Sequence, residues 1–300
     1  MRFRFLLNIF LLLVIAGLVI FLSRPTDDNA NREILLTSKD PTTVQNIKII
    51  RRDLDDIAFS KLDNHWRMQQ PGDIAANEFR IKTILNLLTA HSYTQLDSNP
   101  SELHKFNLDN PVVAVEFDGT RISYGDVSPL EEGKLRYVLH DNKIHLINDS
   151  LYQQLLTNAS FFISPRLLPE NDNIEAITFP EYSVRRIDGI WKIFPEIKIS
   201  ADEIINTINA WRETKAITVR KYFARENEPT ITVTMQQAQP IEFRIVSPLP
   251  NLVLARPGLS VQYHISSDEA KKLFLQDTTT EPSPDTPAVT PDQDQDIINN

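Results

Sequence analysis

Residues 57–88 read IAFSKLDNHWRMQQPGDIAANEFRIKTILNLL, and residues 182–211 read YSVRRIDGIWKIFPEIKISADEIINTINAW. The two stretches say the same thing. In the first, a strand over 57–62 reaches Asp63-Asn64 and returns through His65-Trp66-Arg67-Met68. In the second, a strand over 182–187 reaches Asp188-Gly189 and returns through Ile190-Trp191-Lys192-Ile193. Asp-Asn and Asp-Gly tolerate the positive φ values that two-residue hairpin turns require. Each Trp falls just past its turn, where one large ring can anchor a sheet face. Pro71 and Pro195 then lead into helices opened by Ala76-Asn77-Glu78 and Ala201-Asp202-Glu203, 125 residues apart like the tryptophans. Asn77 and Asp202 are good N-terminal caps, and Ser200 with Glu203 reads as a capping box. Ile81, Ile84, Leu85 and Leu88 mark one face of the first helix, and Ile204, Ile208 and Trp211 one face of the second. The helices are predicted to end near Ala90 and Thr214.

The correspondence extends outward. Asn110-Pro111 precedes an apolar strand over 112–117, and Glu228-Pro229 precedes one over 230–235. Asp118-Gly119 predicts a tight hairpin into 121–124, while the second copy takes a longer turn through Pro240 into 241–246. Paired strands over 135–139 and 143–147 match those over 252–256 and 261–265, and short helices over 150–157 and 267–275 close each half. Connections this short favour antiparallel pairing. The expected fold is α+β: two similar, mainly antiparallel β-sheet units with packed helices, over 47–169 and 170–276, arising by internal duplication.

The ends differ from this body. Residues 5–22 are apolar except for Asn8 and Gly17, and as a helix would run about 27 Å, close to the thickness of a bilayer core. Arg2 and Arg4 precede the run, and its exit, Val19-Ile20-Phe21-Leu22-Ser23, lacks a small-x-small cleavage site. The expectation is an uncleaved single-pass anchor with residues 1–4 cytoplasmic and the main domain periplasmic. Residues 23–46, with Pro25 and Pro41, read as a linker. Residues 277–300 are rich in Thr, Pro, Asp and Gln and read as a disordered acidic tail.

Composition excludes several chemistries. The chain has no cysteine, which removes Cys nucleophiles, Cys-ligated zinc and disulfides. Six acids of the net charge of −9 (Asp277, Glu281, Asp285, Asp292, Asp294, Asp296) sit in a tail without Lys or Arg. The body is therefore near neutral, without the basic footprint of a nucleic-acid binder. Seven scattered glycines build no phosphate loop, dinucleotide fingerprint or nucleophile elbow.

Candidate sites are few. His140 and His145, with Asp141 between them, flank a predicted turn. Two histidines fall short of the three or four ligands a metal needs, so the simpler reading is a pair of solvent-exposed turn residues. His65 and His104 have less support. Asp53, Asp55 and Asp56 lack the glycine and terminal glutamate of a calcium loop and read as a charged hairpin edge. The stretch 131–137, beside Tyr124-Gly125-Asp126, is either a polar recognition loop or an ordinary connection. Residues 161–169, apolar and Pro-bounded, read as a seam between the copies. Asn148 and Asn158 match the glycosylation pattern, which matters only in a glycosylating host. No catalytic, cofactor-binding or metal residue is assigned.

His65-Trp66-Arg67-Met68 with Pro71, the Asn77-Glu78-led helix, Leu108-Asp109-Asn110-Pro111, Ile122-Ser123-Tyr124-Gly125-Asp126 and Arg136-Tyr137-Val138 together resemble the bacterial family catalogued as domain of unknown function 4340. The resemblance is best over 47–169. It implies an envelope protein, in some cases associated with auxiliary components of ABC-type export or gliding systems, and brings no active site with it. The functional expectation is a non-enzymatic accessory or interaction subunit with an envelope protein partner. The alternatives are a periplasmic module for a glycan or lipid fragment and, third, an envelope hydrolase with a dispersed site.

Overall fold

The computed structural model describes residues 34–129, 133–170, 173–236 and 238–275. The apolar run 5–22 with its 1–4 stub, the start of the linker and the acidic tail 277–300 lie outside the described residues. Among the described residues no helix is long and apolar enough to cross a membrane.

The chain divides into two units, each with its own antiparallel sheet. The first holds β1 (Asn46–Arg51), β2 (Ile57–Leu62) and β3 (His65–Gln70). After a short excursion containing β4 (Ile74–Ala75) come α1 (Glu78–Leu85), β5 (Thr94–Asp97), β6 (Val113–Phe117) and β7 (Thr120–Val127). β8 (Leu135–His140), β9 (Lys143–Asn148) and α2 (Tyr152–Leu155) complete it. The sheet runs β4-β3-β2-β1-β6-β7-β8-β9-β5. The segment between β3 and β5 carries the chain from one sheet edge to the other, and α1 lies along it.

The second unit repeats the plan. β10 (Ile174–Thr178), β11 (Ser183–Ile187) and β12 (Ile190–Phe194) are followed by α3 (Ala201–Glu213). Then come β13 (Thr218–Lys221), β14 (Thr230–Met235), β15 (Ile241–Ser247), β16 (Val253–Arg256), β17 (Val261–His264) and α4 (Ser267–Lys272). The order β12-β11-β10-β14-β15-β16-β17-β13 matches the first sheet from β3 through β5, and β4 has no counterpart.

Turn chemistry sets the register. Asp63-Asn64, Asp118-Gly119, Asp141-Asn142 and Asp188-Gly189 all take positive φ at both central positions, the geometry whose twist matches that of the flanking strands. With register fixed, alternation selects the core face. In the first sheet Ile57, Ile49, Val115 and Ile122 form one row across four strands, and Phe59, Ile47 and Phe117 the next. All are buried. In the second sheet the row is Ile193, Val184, Ile177, Val233 and Ile241.

The helices depart from the reading in detail. α1 gives way to a 3-10 turn at Asn86–Thr89, so Leu87 and Leu88 are buried while Leu85 is only half-buried. Ser200, not Asp202, caps α3: its hydroxyl accepts from the Glu203 amide at 3.1 Å, and Glu203 reaches back to the Ser200 amide at 2.9 Å. Asp202 lies in the first turn instead. Trp66 is buried, but its counterpart Trp191 is half-buried on edge strand β12. The second unit is anchored by Trp211 of α3, fully enclosed between Phe243 and Phe179 at 5.5 and 6.1 Å.

Two boundaries also differ. From residue 34 the presumed linker is part of the first unit: Leu36 and Val44 are buried, and the Leu36 and Thr37 amides donate to Ala90 and Leu88 carbonyls. Its polar composition conceals a backbone pairing. The second unit begins at Asn158 rather than at 170 and includes Gly72–Asn77. Ala76 bridges Ile163, and the Ser164 amide donates to the Ala75 carbonyl at 2.8 Å.

Candidate functional site

The polar groups singled out in the sequence gather mainly at the β7–β8–β9 end of the first sheet. Because the Asp141-Asn142 turn pairs His140 with Lys143, Arg136 falls opposite Ile147, with Asp149 two residues further along the same face. Arg136 Nε and Nη2 donate to the two Asp149 carboxylate oxygens at 2.7 and 3.0 Å, and Nη1 donates to the Gly125 carbonyl at 2.6 Å. The guanidinium carbon lies 3.5 Å from the Tyr152 ring centroid. With side-chain exposures of 7% and 16%, this is a desolvated, bidentate ion pair of the strong kind. Beside it, burial and the Asp149 charge push the Tyr124 hydroxyl far above the usual tyrosine range, and its oxygen has no hydrogen-bond partner among the described residues.

Gly125 belongs to the same cluster for a steric reason. A Cβ there would lie 2.2 Å from the Phe106 carbonyl oxygen and 2.9 Å from Leu108 Cγ and Cδ2. Backbone cannot yield as a side-chain tip can, so Gly125→Ala is expected to destabilise the first unit by roughly 1–3 kcal/mol. A shift in urea midpoint with unchanged m-value is the readout.

Of the sequence-predicted recognition loop, Glu131 and Glu132 lie outside the described residues. Arg136 is buried and engaged, and Tyr137 packs on Phe106 at 4.8 Å between ring centroids. The missed partner was Asp149, whose signal was available: the turn at Asp141-Asn142 fixes the register that places it beside Arg136.

His145 is not an exposed turn residue. It lies opposite Val138 in the core row with Tyr124, only 3% exposed. Ser92 Oγ donates to the Thr94 carbonyl at 3.0 Å and meets His145 Nδ1 at 3.0 Å. His140 lies on the same face, ring centroids 6.4 Å apart, with Nδ1 3.1 Å from the Arg121 carbonyl. Both histidines thus use a ring nitrogen within the fold, and among the described residues no group of three His, Asp or Glu side chains could hold a metal ion.

Burial, reinforced by the His140 and Lys143 charges, holds the His145 pKa below its ordinary 6.5. Burial and Arg220 act likewise on His264. The unfolded chain therefore binds these protons first. Their contribution is fully present above the unfolded pKa and is lost as pH falls toward the folded value. Urea midpoints should drop between about pH 7 and pH 5, with a shallower slope in His145→Gln.

The aspartates before β2 are absorbed similarly. Asp56 accepts from the Arg51 amide at 3.1 Å and pairs with Lys48 at 3.0 Å, and Asp53 lies 3.4 Å from Arg52. His65 lies 3.9 Å from Glu78. Asn158 opens the second unit, and the 161–169 stretch is built into that unit, with Phe162, Leu167 and Leu168 buried.

Two surface hollows among the described residues bear on binding. One of about 360 Å³ in the first unit is lined by Thr37, Lys39, Thr120, Arg121, His140 and Asp141. The other, about 520 Å³ between α3 and α4, presents Asn206, Asn209, Glu213, Glu269 and Lys272 beside Phe274. Both offer hydrogen bonds and charge; the first also includes Ser38, and among the described residues no hydroxyl of either hollow is hydrogen-bonded to a histidine.

Residues 66–220 match a family model described as Domain of unknown function (DUF4340). No curated protein matches the chain. No solved structure matches it either.

Proposed function

The chain belongs to the DUF4340 family, which its model matches over just more than half the chain, and from that premise we propose a single-pass, membrane-anchored extracytoplasmic protein. Its two sheet units arose by internal duplication and act as a non-enzymatic accessory or interaction subunit, with an export or envelope assembly as the setting. The apolar run 5–22, preceded by Arg2 and Arg4, supports the anchor and its orientation. The matching strand order of the two sheets supports duplication.

The observation that carries the interaction reading is the employment of the family-like residues. Trp66 fills the core, Gly125 admits the Phe106 carbonyl, and Arg136 is held by Asp149. These groups build a scaffold, and a scaffold on a tether presents surfaces. Copurification of the full chain from detergent-solubilised membranes tests the reading. A reproducible stoichiometric envelope partner is expected, and a strictly monomeric species from repeated preparations would count against it.

A second reading, a module for a glycan or lipid fragment, is favoured by the α3–α4 groove. Its adjacent Asn206, Asn209 and Glu213 offer the amide and carboxylate groups that sugar hydroxyls pair with. Protection of that groove by added envelope glycans in hydrogen exchange would distinguish it.

A further inference from the structure

The second unit carries a surface that its fold does not require. β12 is the outermost strand of its sheet. Register places Ile187 opposite Ile190, Arg185 opposite Lys192 and Ser183 opposite Phe194 on one face of the β11–β12 hairpin. Apart from buried Ser183 that face is open: Ile190 is 65% exposed and Phe194 42%, with Ile197 just beyond at 47%. Trp191, half-buried, lies beside the same turn. Arg185, Arg186, Lys192 and Lys198 are exposed around these apolar groups, as are Asp188 at the turn and Glu196. Among the described residues no carboxylate forms an ion pair with any of the four; Arg186 Nε reaches the Gly189 carbonyl at 3.3 Å, and Arg185 lies 5.8 Å from the Phe194 ring centroid.

The first unit shows that this chemistry is not a demand of the architecture. Its β2–β3 hairpin has the same Asp-led turn and the same place in the strand order, although the two-residue β4 lies beside β3. Where the second unit has Ile190 and Phe194, the first has His65 and Gln69, reckoned from the paired tryptophans.

We infer that the β11–β12 hairpin is a docking element for an anionic lipid surface, dipping Ile187 and Ile190 below the headgroups while Arg185, Arg186 and Lys192 bind them. The spacing suits that occupant. The Arg185–Lys192 row lies two residues behind the tip, about 6–7 Å along the strands, comparable to the depth at which interfacial apolar groups lie beneath the headgroups. Trp at such a boundary is favoured by its amphipathic ring. A second copy of the chain fits poorly. Lys192 is the middle residue of β12, so a two-fold pairing over the full length of that strand would set Lys192 against Lys192. The inference rests on the proposed anchor only for bringing the hairpin near a membrane.

The absence of cysteine makes Ile190→Cys a unique site for an environment-sensitive fluorophore, with His65→Cys as the matched control. The full chain is reconstituted into phosphatidylcholine vesicles with or without phosphatidylglycerol. With phosphatidylglycerol present, the Ile190 label is expected to shift to the blue and to be quenched by lipid-borne spin labels, while the His65 label stays water-like. Each basic residue should contribute about fivefold to association. Combining Arg185→Glu, Arg186→Glu and Lys192→Glu should then return the label to water.

An Ile190 label indifferent to phosphatidylglycerol overturns the proposal. So does one already shielded in neutral detergent, whether uncovered by truncation after Leu275 (the acidic tail as occupant) or by dilution (a second copy). Retention of the chain in vesicles after alkaline carbonate washing reads the anchor separately. A washed-out chain faults the anchor, and a retained chain with an unshifted label faults the hairpin.

Discussion

Asp149→Ala is expected to destabilise the first unit by about 3–5 kcal/mol. The reason is not the lost attraction alone. Arg136 is 7% exposed, so removing its partner leaves a buried cation held only by the Gly125 carbonyl and the Tyr152 ring. The double replacement Arg136→Met with Asp149→Leu should recover most of the loss, since well-packed apolar groups often replace a buried pair without penalty. Urea unfolding of the full chain in detergent measures both. Equal destabilisation by the single and double variants would mean that shape, not charge, holds this corner.

Trp211→Ala should be as damaging in the second unit, about 3–5 kcal/mol. Its ring is wholly buried, and Nε1 donates to the Leu273 carbonyl at 2.9 Å, tying α3 to the residue that follows α4. Truncation opens a cavity among Phe179, Phe243 and α4 and leaves that carbonyl unpaired. Trp191→Ala, on a half-exposed edge, should change stability by no more than about 1 kcal/mol. Thermal unfolding of the two variants side by side is the test, and comparable losses would show that the hairpin tryptophan also anchors this unit.

The contrast between these tryptophans explains what the sequence discloses. Features decided by neighbours in the chain are legible. Asp63-Asn64, Asp118-Gly119, Asp141-Asn142 and Asp188-Gly189 announce hairpins because positive φ is a local requirement. The Ser200–Glu203 capping box is local in the same way. Features decided across the sheet are not. β5 has four exposed residues and no apolar alternation, and it exists because β9 offers its free edge. β13 depends on β17 in the same manner. Trp66 and Trp191 occupy equivalent places after equivalent turns, yet only the first is deeply buried, because the second unit fills its centre from α3. The same distinction governs the polar residues. His145 looks like part of a turn cluster until strand register carries it into the core row with Val138 and Tyr124. Arg136 looks like a recognition side chain until the same register supplies Asp149.

The proposed anchored, outward-facing topology is open to one labelling measurement. Ile217 is 74% exposed and Arg4 precedes the apolar run, so Ile217→Cys and Arg4→Cys each give the otherwise cysteine-free chain one thiol on either side of the proposed span. In intact spheroplasts a membrane-impermeant maleimide should label Cys at 217 at once and Cys at 4 only after lysis. Protection of position 217 until lysis, or recovery of the chain in the soluble fraction without its apolar run, would contradict the account.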